Sequence, residues 1–96
     1  TNVPAQALAM LNDPFVKAEA NRWADRILAL SSDTKARIDH IYRQGLARSP
    51  AAHEISAVEQ FLQRQRQIYK AKIDDPRPWR DLCHSIFNIK EFILLR

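Results

Sequence analysis

Glycine is almost missing from this chain: Gly45 is the only one in 96 residues. Tight hairpins lean on glycine for positive φ. Its scarcity, beside abundant Ala, Leu, Arg and Gln, argues against a hairpin-built sheet and for helix. Cysteine is equally scarce, and Cys83 alone rules out an internal disulfide while leaving the redox compartment unread. No apolar run approaches the length of a membrane span. Paired metal ligands are missing too. Zinc sites usually place ligands two to five residues apart, and His40, His53 and His84 are all farther apart than that. The chain shows no segment that reads as a signal peptide, and its abrupt start without Met reads as that of a fragment cut from a longer protein.

What is present fits one small globular domain over residues 1–96. Hydrophobic residues make up 46% and charged residues 27%, which is ordinary for a folded chain and unlike a disordered one. A chain of this length buries roughly two-thirds of its unfolded surface, so a single core forms without disulfides or metals. The net charge of +4 and pI near 9.6 permit attraction to nucleic acid, anionic lipid or acidic glycan without establishing any of them.

The apolar spacing and the prolines divide the chain into helices. A first helix is expected from about Pro4 to Leu11, stacking Leu8 and Leu11. Asn12-Asp13-Pro14 stops it and starts a second, with Asp13 as cap and Pro14 in the first turn. That helix carries Val16, Ala20, Trp23, Ala24, Ile27 and Leu28 on one stripe. Ser31-Ser32-Asp33 closes it and caps a third, with Ile38, Ile41, Tyr42 and Leu46 inward. Pro50 pushes Ser49 out of helical geometry. A fourth helix is expected from about Ala51 to Lys72, burying Ile55, Val58, Phe61, Leu62, Ile68 and Tyr69. After the stiff Asp74-Asp75-Pro76-Arg77-Pro78 connector, a fifth opens near Trp79 with Trp79, Leu82, Cys83, Ile86 and Phe87 inward. Asn88 is expected to end it, with Phe92 and Ile93 tucked back in a closing turn. The fold class is all-α, four to five helices around a single small core.

Three separated stretches carry a family resemblance. The run Val3-Pro4-Ala5-Gln6-Ala7-Leu8, then Leu11-Asn12-Asp13-Pro14-Phe15-Val16, resembles the planctomycete cytochrome-associated domain of unknown function called PSD-one. Ile38 to Glu54, with its Tyr-Arg-x-x-Leu-x-Arg-x-Pro core, is similar to that family's penultimate helix pair. Trp79 to Phe92, ending Phe87-Asn88-Ile89-Lys90-Glu91-Phe92, is similar to its closing segment. The likeness spans nearly the whole chain and corresponds to the C-terminal part of the family's domain. A fainter likeness joins the Tyr42–Pro50 region to a helical module of extracellular and phycobilisome-linker-type proteins. There Ala47 replaces the usual Gly, and Ala51 replaces a Thr or Ser cap, for which Ser49 is the expected substitute with Pro50 at the first helical position. The PSD-one resemblance implies a periplasmic or exported parent protein with a c-type cytochrome-like domain among its partners. It implies no catalytic residues.

Little in the sequence reads as catalytic chemistry. Cys83-His84 is half of a haem attachment motif, but Arg80 stands where the second thiol is required. On an apolar stripe Cys83 acts as a small hydrophobe. Ser85 and His84 are neighbours on a helix and point about 100° apart, wrong for a nucleophile and its base. Asp74 and Asp75 are simpler as caps than as an acid–base pair. Trp23 and Trp79 read as core anchors. The one charge cluster with a functional reading is Arg64, Arg66, Lys70 and Lys72, a candidate polyanion-binding face for phosphates or sulfated sugars. Its bland reading is a solvated outer face, with Ile68 and Tyr69 turned inward. The expected function is a non-catalytic structural or interaction module with no cofactor, partnered by other domains of its parent. The alternatives are an acidic-polymer binder and an accessory part of an enzyme whose site lies upstream.

Overall fold

The structure is a computed structural model that describes residues 13–94. The helix expected over Pro4 to Leu11 lies outside the described residues, as do the side chains of Phe92 and Ile93. The described residues form four α-helices and no strand: α1 Pro14–Leu30, α2 Thr34–Leu46, α3 Ala52–Tyr69 and α4 Pro76–Leu94. Their starts follow the cap chemistry. The Asp13 carboxylate accepts from the Phe15 amide at 2.8 Å, with Pro14 in the first turn. Asp33 accepts from the Ala36 amide at 2.9 Å, and Asp75 from the Arg77 amide at 2.9 Å. Each satisfies an orphan donor of a first turn.

Helix α4 is the spine, packing against each of the other three and most heavily against α1. Trp79, Leu82, Cys83 and Ile86 meet Ala20, Trp23, Ala24 and Ile27 of α1, Ile38, Ile41 and Tyr42 of α2, and Val58 and Leu62 of α3 in one core. Such fully buried aliphatic side chains are each worth about 1.5–3 kcal/mol of transfer free energy. Gly45 permits the closest approach within this core. A Cβ there would lie 2.8 Å from both Ile86 Cγ2 and Trp23 Cη2.

Several sequence expectations change. Helix α4 begins at Pro76 and not at Trp79, because Asp75 caps it and two prolines fit a first turn that needs no N–H partners. It also passes through Asn88 without ending there. Helix α3 starts at Ala52, so Pro50 is not its first residue and Ser49 does not cap it. Glu54 reaches back to accept from the Ala51 amide at 2.9 Å, while Arg48 holds the same carboxylate with bonds of 2.7 and 2.8 Å. Ile68, expected inside, is 70% exposed. It stands about 120° around the helix from buried Leu62, whereas Gln65 and Tyr69 face α4.

Candidate functional site

The basic residues do not line up on one helical stripe. Arg64 is exposed and Arg66 half-buried; two positions apart, they point about 160° away from each other. The helix ends at Tyr69, short of the expected Lys72. Lys70 adopts a left-handed conformation with φ 53, and its amide donates to the Arg66 and Gln67 carbonyls. The Ala71 amide then donates to the Arg66 carbonyl at 2.9 Å, a Schellman-type closure. Lys70 and Lys72 therefore leave the helix axis. Both are exposed, and among the described residues none of the four cations pairs with an acid.

Beside this segment lies a polar tie between α3 and α4. Asp81 accepts from Gln65 Nε2 at 2.8 Å and from the Tyr69 hydroxyl at 2.5 Å. The bond to Asp81 holds the phenol in its protonated form and raises its pKa above the ordinary value. Arg77 covers the Tyr69 ring at 4.6 Å and grips Asp75, whose carboxyl that guanidinium depresses from 3.8 to about 2. Asp75 is thus a cap and an ion-pair partner, as its position before a proline implies.

Other chemistry-bearing residues are spent on packing. Burial pushes the Cys83 thiol up to about 12, so it is not a thiolate at neutral pH. The Ser85 hydroxyl donates to the Asp81 carbonyl one turn back, at 3.1 Å, and not to His84. His40, His53 and His84 do not converge: among the described residues no three His, Cys, Asp or Glu side chains gather as a metal would require. His84 Nε2 and Asn88 Oδ1, one turn apart on α4, are buried without partners.

Arg37 was not legible as a structural residue. Its guanidinium donates to the Ser31 and Leu28 carbonyls at 2.5 and 3.4 Å, closing the end of α1, and covers the Trp79 ring at 5.4 Å. One side chain of α2 thereby joins α1 to α4. A notch of about 210 Å³, lined by Glu19, Trp23, Arg26, Gln44, Gly45 and Phe87, was also missed. Its Trp23 indole N–H donates to Gln44 Oε1 at 2.6 Å. The lone glycine beside it was the only signal that backbone and side chains approach closely there.

Comparison with known proteins adds one finding. The model of the PSD1 family, described as a protein of unknown function (DUF1553), matches residues 1–62. The match takes in α1, α2 and the first part of α3, and stops at Leu62, before the basic segment and before the Trp79–Phe92 stretch. No curated protein and no solved structure matches.

Proposed function

The chain belongs to the PSD1 family of proteins of unknown function, and from that premise and the geometry above we propose that it is a non-catalytic helical interaction module of a larger exported protein. It uses no cofactor of its own and packs against neighbouring domains of its parent, a c-type cytochrome-like domain among them. The observation that carries this reading is how the polar side chains between helices are used. Asp81 is engaged by Gln65 and Tyr69, Arg37 by main-chain carbonyls and Trp79, and Arg80 by Asp25 across α4 and α1. These contacts hold helices at fixed angles and leave large apolar side chains such as Phe15 and Ile89 on the outside, 67% and 49% exposed. In this reading Phe15 and Ile89 are the apolar side chains that meet a partner. Co-purification of the 96-residue chain with the remaining domains of its parent tests the reading. Retention is expected, and no association at micromolar concentration rejects it.

A second reading, polyanion binding through Arg64, Arg66, Lys70 and Lys72, is favoured by the lack of acidic partners for these cations among the described residues. Reversing the charge at Arg66 and Lys70 is expected to abolish retention on DNA or a sulfated polysaccharide. Retention that survives the reversal rejects it.

A further inference from the structure

The turn between α3 and α4 carries its apolar side chains in the wrong place for a solvated loop. The Asp75 amide donates to the Lys72 carbonyl at 3.1 Å, closing a tight turn with Ile73 and Asp74 at its tip. Turn tips normally hold Gly, Asn, Asp or Ser, yet Ile73 is 67% exposed here. In the last turn of α3, Ile68 is 70% exposed, about 40° around the helix from Arg64.

Cations flank the two isoleucines along the chain. From Gln60 to Ile73 the chain contains Arg64, Arg66, Lys70 and Lys72 and no acid. Arg64, Lys70 and Lys72 are exposed. Of the nearby acids, Asp75 is held by Arg77 and Asp81 by Gln65 and Tyr69, which leaves Asp74 as the exposed negative charge at the tip. The left-handed Lys70 ends the helix, so that Lys72 and Ile73 lie in the tight turn that follows it.

We propose that this end, Ile68 and Ile73 within the Arg64, Lys70 and Lys72 cluster, docks on an anionic lipid surface. Aliphatic side chains enter the headgroup boundary while lysines remain at the phosphates, so one surface uses both chemistries. A dissolved polyanion uses only the charges and leaves two exposed isoleucines without a role. No aromatic residue between Gln60 and Asp75 is exposed as a stacking platform, and lysine point charges stand beside apolar tips, as a fluid charged interface requires. This inference names a partner for an interaction module, but it does not depend on docking between domains.

Flotation of the full chain with vesicles tests it. Vesicles of equal parts phosphatidylcholine and phosphatidylglycerol are expected to carry the protein at low salt, and phosphatidylcholine alone is not. Each basic residue near such a surface is worth about fivefold in partitioning, so Lys70→Glu with Lys72→Glu lowers it by about 25-fold or more. Ile68→Ser with Ile73→Ser lowers it by roughly tenfold. Both pairs are exposed, and an unchanged helical circular dichroism signal shows that the variants remain folded. No flotation of the wild-type chain overturns the proposal. So does flotation that survives loss of both isoleucines, which leaves a polyanion surface that heparin binding by the same variant identifies. Domain co-purification reads the interaction-module proposal separately, so either can fail alone.

Discussion

Two residues in α2 and its exit place backbone chemistry in opposition. Ala47 adopts φ 57, where an L side chain costs about 1–2 kcal/mol. Gly45, two positions earlier, is helical, where alanine is normally better by about 1 kcal/mol. The structure reverses the ordinary preference at both sites. Ala47→Gly is expected to raise stability by about 0.5–1 kcal/mol, the strain relieved less the entropy glycine adds to the unfolded chain. Gly45→Ala is expected to lower it by about 1–3 kcal/mol, because the new methyl meets the Trp23 ring and the Ile86 branch at 2.8 Å. Neither group is the free end of a flexible chain. Urea midpoints of the two variants check both signs, and a stabilised Gly45→Ala would show that α2 does not approach Trp23 so closely. Half of this was legible in the sequence. Ala47 stands where the helical module that this region faintly resembles carries Gly, and that is the position with positive φ. Gly45 stands out in the sequence only as the lone glycine; what it approaches is fixed by Trp23 and Ile86, 22 and 41 residues away.

Among the elements, starts were read more securely than ends. Asp13, Asp33 and Asp75 satisfy nearby amides, so local chemistry reveals them. The end of α3 is set instead by a left-handed lysine, a residue type without preference for that conformation, and the expected helix ran three residues too far. Two starts are exceptions: α4 opens at Pro76, ahead of the expected Trp79, and at α3 the Ala51 side chain has no acceptor, so the cap comes from Glu54, itself held by Arg48. That pairing has a pH signature. The Arg48 bonds, and after them the Ala51 amide, depress the Glu54 carboxyl from 4.5 to about 2. A carboxyl lowered on folding stabilises the fold above its unfolded pKa and ceases to as pH falls through the folded one. The contribution of Glu54 is therefore complete above about pH 4.5 and lost by about pH 2. Glu54→Gln is expected to be less stable than wild type at neutral pH, with the gap closing through that window. Asp75 titrates over a similar range, so the variant keeps a shallower acid slope. Parallel pH profiles for the two proteins would show that Arg48 does not hold the carboxylate.

At the scale of the whole molecule, function was less legible than fold because the contacts that make a surface join distant parts of the chain. Trp23, Ile27, Ile41, Leu62, Trp79 and Cys83 were all expected inside and are buried, since burial follows from helical spacing. The exposure of Ile68 and the bridging role of Arg37 depend on where neighbouring helices fall, and spacing along one helix carries no such information. The centrality of α4 yields a test of the assembly as a whole. Cys83 is fully buried in the core that α4 shares with the other three helices, with its thiol pushed up to about 12. Labelling by a thiol reagent at neutral pH then requires α4 to leave its seat, and its slowness measures that opening. Trp79, one turn before Cys83, is 2% exposed and lies under Arg37, so Trp79→Ala removes about 3–5 kcal/mol. That approaches the full stability of a small domain. The wild-type thiol is expected to react slowly until urea unfolds the chain, whereas the Trp79→Ala thiol reacts nearly as fast in buffer as in urea. If native wild type labelled at the unfolded rate, α4 would not be the element that closes the core. If Trp79→Ala stayed protected, the Arg37–Trp79 contact would not be what seats it.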